Sequence, residues 1–205
     1  MSEKTLYMIR HGLLINSDDG VLNGQSDTPL SKEGLRETMI WKEILKNKQI
    51  DLVLSSDLKR TFLPASKYSQ ILKCPHRSFK DLREINAGKW ELKKVSELVE
   101  REKEEFFKRS QNPVKIPFPE GENLLQLKNR VKRCIDSFLK SNNFRKILYI
   151  GHGGVIRVLV LTYLGIPLKN FFKFEVDYGS LTVLRFFDDG NVTLKVFNAS
   201  MGIKI

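Results

Sequence analysis

Thr5-Leu6-Tyr7-Met8-Ile9-Arg10-His11-Gly12 is a short apolar run that ends on a cation, an imidazole and a glycine. The run is a buried-strand pattern, and the chain after it enters a loop. Loop signals follow at Asn16, Ser17, Asp18, Asp19, Gly20, Asn23, Gly24, Asp27 and Pro29. Ser31 then reads as an N-cap, with Glu33 in the first turn of a helix to about Asn47. Asp51 to Ser55 is a second strand, and Asp57 opens a helix to about Leu72. This strand-helix-strand-helix order predicts a parallel sheet covered by helices.

Asn86 to Asn123 departs from that rhythm and reads as an excursion from the sheet. Its first half is a mixed-charge helix, with Glu97 and Arg101, Glu104 and Lys108, and Glu105 and Arg109 spaced i,i+4 on a solvated face. Pro113, Pro117 and Pro119 then mark a loop. Leu124, Leu127, Val131, Cys134 or Ile135, and Phe138 form the apolar stripe of the next helix. Lys146 to Ile150 is a third strand, followed by Gly151-His152-Gly153-Gly154 and a helix to Leu164. Gly165 fits its C′ position, with Pro167 beyond. Ser180 to Phe187 and Asn191 to Asn198 form a hairpin around Asp188-Asp189-Gly190.

With 205 residues, 41% of them hydrophobic and 29% charged, the chain has enough material for one globular domain, residues 1–205, with a cap-like excursion at about 86–123. The best apolar stretch, Val155 to Leu168, is interrupted by Arg157 and Pro167 and is too short to span a membrane. Leu6 to Ile9 is too short for a signal-peptide core, so the expected compartment is the cytoplasm. Cys74 and Cys134 match no metal or redox spacing and read as small hydrophobes. The net charge of +11 is compatible with anionic small substrates, an anionic surface or no partner at all. No basic-aromatic stripe marks a nucleic-acid site.

His11 follows strand one, Arg60 lies just inside the helix after strand two, and His152 follows strand three. Residues beyond the carboxyl ends of parallel strands converge on one crevice. Such a cluster suits a phosphoryl group: arginine forks match its oxygens, and Gly12, Gly153 and Gly154 let backbone amides approach. A histidine nitrogen is a competent nucleophile toward phosphorus when its other nitrogen is held as a donor. A carboxylic acid is then needed for the leaving alcohol, and spacing alone does not choose between Asp81 and Glu84. His76 reads as a surface residue after Pro75, and Trp41 and Trp90 as packing residues.

In this order the motifs resemble the histidine phosphatase superfamily, in the branch with cofactor-dependent phosphoglycerate mutases and α-ribazole phosphatases, and the pattern is nearest the latter. Arg10-His11-Gly12 looks like the family signature, and Gly24 to Ser31 is similar to the loop after it. Ser55 to Thr61 looks like the segment of the second phosphate arginine. Leu82 to Ile85 with Gly88, Trp90 and Glu91 is similar to the acid segment. Pro119 to Glu122 and Gly151 to Arg157 complete the series. The resemblance implies a phosphoglycerate mutase-like fold: a three-layer α/β/α sandwich, mostly parallel, with the antiparallel C-terminal hairpin. It implies that His11 becomes phosphohistidine and that Arg10, Arg60 and His152 hold the phosphoryl oxygens. Glu84 would protonate the leaving oxygen and later activate water. Asn16, Ser17, Asn23, Gly24 and Gly153 are the further candidates for substrate contact, with no metal and no cofactor. The chain departs from the family at Leu13-Leu14, where a polar pair is usual. It departs again at Ser17, in place of an asparagine that stands one residue early as Asn16, and at Leu92, in place of a glycine.

The mutases carry Gly-Asn where this chain has Gly153-Gly154, and a longer insertion in the region of 86–123. The expectation is therefore a phosphomonoester hydrolase acting on a small phosphorylated metabolite, with α-ribazole 5'-phosphate as one candidate. A phosphoglycerate mutase and a non-catalytic binder of phospho-ligands are the alternatives. Phe106, Phe107 and Phe118 of the excursion are expected either at the pocket mouth or packing the cap onto the sheet. No nucleic acid and no membrane is expected as partner, and homodimerisation is left open.

Overall fold

In the computed structural model, which describes residues 3–17 and 20–200, alternating side chains on adjacent strands build two cores on opposite faces of one sheet. On β1 (Glu3–Arg10), Leu6 and Met8 enter one core and Ile9 the other. β2 (Leu52–Ser55) and β4 (Lys146–Gly151) repeat the pattern: Leu52, Leu54, Ile147 and Tyr149 on the first face, Val53, Leu148 and Ile150 on the second. This period of two, apolar on both faces, is what a central parallel strand requires. The sheet order is β3-β2-β4-β1-β5-β6. β1 to β4 run parallel, and β5 (Leu181–Phe187) and β6 (Val192–Ala199) form the antiparallel pair, with β5 against β1.

Helices α1 (Lys32–Met39), α2 (Lys42–Lys46) and α3 (Lys59–Leu72) lie on the second face. α6 (Leu124–Leu139) and α7 (Gly153–Tyr163) cover the first. The result is the expected α/β/α arrangement. Ser31 caps α1 by accepting from the Gly34 amide at 2.9 Å. Asn123 and Gln126 form a capping box on α6, and Gly165, at φ 68°, follows α7. No helix among the described residues is long and apolar enough to cross a membrane. Asp18 and Asp19, read above as loop residues, lie outside the described residues.

Several elements differ from expectation for identifiable reasons. The helix foreseen from Ser31 to Asn47 is interrupted between α1 and α2, where Trp41 turns inward and donates from Nε1 to the Gly179 carbonyl at 2.7 Å. Asp57 does not open α3; it binds Arg83 through two hydrogen bonds of 2.6 Å. The mixed-charge helix is two: α4 (Val95–Arg101) and α5 (Lys103–Gln111). Glu102 between them accepts from the Trp90 indole and from Lys93. Arg109 is not part of a solvated ladder: it is buried over the Phe118 ring, and burial pushes its pKa down to about 10. An unforeseen strand, β3 (His76–Ser78), edges the sheet. His76 is therefore no surface decoration; its ring lies half-buried between the Ser55 and Ser66 hydroxyls.

Trp90, Ala87, Leu98 and Phe118 form a small core within the excursion. The loop after β1 is pinned to α1 by a glycine pair. A β-carbon on Gly12 would stand 2.0 Å from the Gly34 carbonyl oxygen, and one on Gly34 would stand 1.9 Å from that of Leu13. Both neighbours are backbone, so neither can give way cheaply. Gly34→Ala is expected to cost about 1–3 kcal/mol in a urea titration, the usual overpacking cost. An unchanged midpoint would contradict this close approach.

Candidate active site

The parallel register places Arg10 opposite Gly151 and Ser55 opposite Ile150, so the residues after three neighbouring strands are His11, His152 and Ser56. The two imidazoles meet edge to face with centroids 5.4 Å apart. His11 is 5% exposed and His152 fully buried. The Nδ1 of His11 lies 2.8 Å from the Gly12 carbonyl oxygen. A carbonyl can only accept, so Nδ1 carries the proton and Nε2 keeps its lone pair. Burial, then Arg60 and Arg10, hold the His11 imidazole well below the ordinary histidine pKa, so the ring is neutral. His11 is thus an unprotonated nucleophile beside two guanidiniums.

His152 has a different set of partners. Its Nε2 lies 2.9 Å from Ser56 Oγ, which lies 2.7 Å from Thr61 Oγ1. The Thr61 hydroxyl faces the Leu58 carbonyl at 3.1 Å, so a consistent chain has Thr61 donating there, Ser56 donating to Thr61, and His152 Nε2–H donating to Ser56. Its Nδ1 is then buried without a partner. Burial, Arg60 and His11 lower the pKa of His152 well below the ordinary value. An arriving phosphoryl dianion would favour protonation of Nδ1 and receive its hydrogen bond.

Arg10 and Arg60 are anchored by neutral groups. Arg10 donates to the Val176 carbonyl and stacks on Tyr178 at 3.6 Å. Arg60 donates to the Ser26 and Gly24 carbonyls. The Nε atoms of both are buried and unpartnered. The 24–26 loop is held in turn by Glu91, which accepts from the Gly24, Gln25, Ser26 and Ala87 amides and the Ser26 hydroxyl.

Between Asp81 and Glu84 the structure favours Glu84. Its carboxylate accepts from the Gly154 amide at 2.9 Å and the Ile85 amide at 2.8 Å, whereas Asp81 pairs with Arg133 at an exposed position. Arg130 on α6 fixes this segment by binding Glu122 and the carbonyls of Asp81, Arg83 and Glu84. A β-carbon at residue 154 would stand 2.3 Å from Glu84 Oε1. Gly154 therefore leaves the space this carboxylate occupies.

These groups border a cleft of about 210 Å³, lined by Arg10, Asn23, Gly24, Glu84, Gly153 and Gly154 and walled by Leu22, Phe118 and Phe171. A larger apolar groove of about 500 Å³ between α1 and α3 lacks the histidines and the acid. Asn16 does not line the cleft; its amide pairs with that of Asn23, which does. Ser17 closes a turn by accepting from the Leu14 amide at 2.7 Å. Leu14 is core, bridging to Leu30. Leu92 does not reshape the pocket wall: it is 52% exposed and holds the left-handed backbone, φ 61°, that a glycine would adopt freely. Phe118 reaches the cleft, Phe106 stacks near Trp90, and Phe107 is exposed. Sequence reasoning missed Tyr178, Val176 and Arg130 as supports, because each is distant in the chain and none sits in a recognisable motif.

The buried imidazoles make stability depend on pH. Unfolded histidine titrates at about 6.5, and the folded values lie below it, so the unfolded chain binds more protons in that interval. The stabilisation is complete above about pH 6.5 and is lost as pH falls, by up to about 1.4 kcal/mol per pH unit for each ring. Urea midpoints should therefore drop between about pH 6.5 and 5, with a shallower slope in His11→Asn. A flat profile would contradict neutral buried rings.

The family model described as histidine phosphatase superfamily (branch 1) matches residues 6–199. Phosphoserine phosphatase 1 of Hydrogenobacter thermophilus is 28% identical over 191 residues, covering 93% of this chain and 90% of that one. The protein named "Probable phosphoglycerate mutase GpmB" of Yersinia pestis is 30% identical over 182 residues, covering 84% of each chain. The crystal structure of the α-ribazole phosphatase of Shigella flexneri superposes with a TM-score of 0.87 at 26% identity, covering 98% of this chain and 100% of that one. The chain is a member of the histidine phosphatase superfamily and a phosphatase of that family.

Proposed function

We propose that the protein hydrolyses small phosphomonoesters through a phosphohistidine on His11. The observation that carries the reading is a neutral His11 with a free Nε2, set among Arg10, Arg60 and His152. In the first step the Nε2 lone pair forms the N–P bond as the ester P–O bond breaks, and Glu84 gives its proton to the leaving alkoxide. In the second, Glu84 takes a proton from water, the water oxygen attacks phosphorus, and the N–P bond breaks to return His11 and release phosphate. Arg10, Arg60 and the protonated His152 spread the charge on the phosphoryl oxygens through both steps.

Hydrolysis is preferred to mutase transfer because the residue after Gly153 is glycine. Any side chain at residue 154 would crowd the Glu84 carboxylate that must admit water. The cleft, at about 210 Å³, encloses a compact alcohol. Phosphoserine suits this volume, whereas the base of α-ribazole 5'-phosphate would project through the mouth toward Phe118. The reading assigns substrate contact to Asn23, Gly24 and Gly153 directly and to Asn16 through Asn23. It treats residues 1–205 as one catalytic domain, at work in the cytoplasm with Cys74 and Cys134 as free thiols.

Glu84→Gln should slow an alkyl phosphate about 10²–10⁴-fold, the range of general acid catalysis, and slow p-nitrophenyl phosphate far less. Gly154→Ala, which displaces the same carboxylate, should show the same selectivity more weakly. Equal slowing of both esters would remove Glu84 from the acid role. Bisphosphoglycerate-dependent interconversion of 2- and 3-phosphoglycerate with little hydrolysis would favour the mutase.

A further inference from the structure

Most guanidiniums near the site are already committed. Arg130 is filled by Glu122 and three carbonyls, and Arg83 by Asp57. Arg10 and Arg60 are held by carbonyls next to the two histidines. Arg157 is different. It lines the same cleft, its Nε is buried without a partner, and among the described residues no hydrogen bond or carboxylate engages it. Its one directed contact is with the face of Phe171, 5.2 Å from the guanidinium carbon to the ring centroid.

The placement follows from helix geometry. Arg157 stands on α7 four residues after Gly153 and three after Gly154, so all three share one face. Helical side chains lean toward the N-terminus, which at α7 is the end carrying His152 and the phosphoryl site. The two glycines add no side chain between Arg157 and the cleft. Phe171 limits the guanidinium on one side with an apolar face, where water cannot replace a missing hydrogen-bond partner.

We infer that Arg157 binds a carboxylate on the alcohol portion of the substrate, so that the preferred substrates are phosphomonoesters bearing a carboxylate a few bonds from the ester oxygen. The inference rests on the phosphomonoesterase reading above and narrows its substrate class. A planar guanidinium fork matches a planar carboxylate with two parallel hydrogen bonds. One fork also neutralises one carboxylate charge, whereas a second phosphate would retain excess charge. The phosphoryl oxygens themselves already have Arg10, Arg60 and His152, which leaves Arg157 for the other end of the molecule.

The test compares kcat/KM for 3-phosphoglycerate with that for glycerol 3-phosphate, which replaces the carboxylate by a hydroxymethyl group. The wild-type protein should favour the carboxylate by about 10- to 100-fold, the worth of a charge-assisted pair. Arg157→Gln should bring the ratio toward one, and Arg157→Lys should keep part of it. A wild-type ratio near one, or a ratio unchanged in Arg157→Gln while both rates fall together, would overturn the assignment. Hydrolysis of p-nitrophenyl phosphate by the same wild-type preparation separates the two levels. If it proceeds while the ratio is near one, only the carboxylate subsite falls; if no ester is hydrolysed, the phosphomonoesterase reading falls and the subsite with it.

Discussion

The site depends on the lateral register of β1 and β4. Arg10 pairs with Gly151, so the next residue on each strand is a histidine, and the rings arrive 5.4 Å apart. That register is held by the cores and not by the histidines. Leu6, Met8, Ile147 and Tyr149 are committed to one face, and Ile9, Leu148 and Ile150 to the other. A slip of one residue would exchange the faces of a whole strand. The packing that stabilises the sheet is therefore also what sets the spacing of the catalytic groups.

The second constraint is electrostatic. Arg10 and Arg60 are oriented by backbone carbonyls, while Arg83, Arg130 and Arg185 outside the phosphoryl site are neutralised by Asp57, Glu122 and Glu3. Carbonyls fix a guanidinium without cancelling its charge, so the site stays cationic. Burial keeps both imidazoles neutral in the meantime, which leaves His11 nucleophilic. The arrangement is unbalanced without an anion, and a phosphoryl dianion supplies the missing charge. It also explains why His152 can end a buried hydroxyl chain with one nitrogen unpartnered.

Much of this was legible in the chain because the signals are local. The apolar stripe from Leu124 to Phe138, the Ser31 cap, Gly165 after α7 and the turn at Gly190 each act within a few residues, and the structure has them as read. The convergence of His11, Arg60 and His152 was legible because parallel strand ends must share one edge. What was not legible arises from distant partners. β3 has only His76, Arg77 and Ser78, with no apolar alternation to mark it. Trp41 ends α1 through a carbonyl 138 residues away. Asp57 leaves its helix for Arg83, and Arg109 turns onto Phe118. In Arg157 the motif was visible, but its lack of a partner was not, since vacancy is a property of the packed site.

The central claim is a covalent bond from His11 Nε2 to phosphorus. It is tested most directly by rapid quenching after brief mixing with a phosphoryl-labelled ester, followed by mapping of the labelled peptide. The account predicts an acid-labile, base-stable label on His11 that appears before free phosphate and is absent from His11→Ala. Label retained in His11→Ala, or wild-type turnover with no labelled protein at any time point, would contradict it.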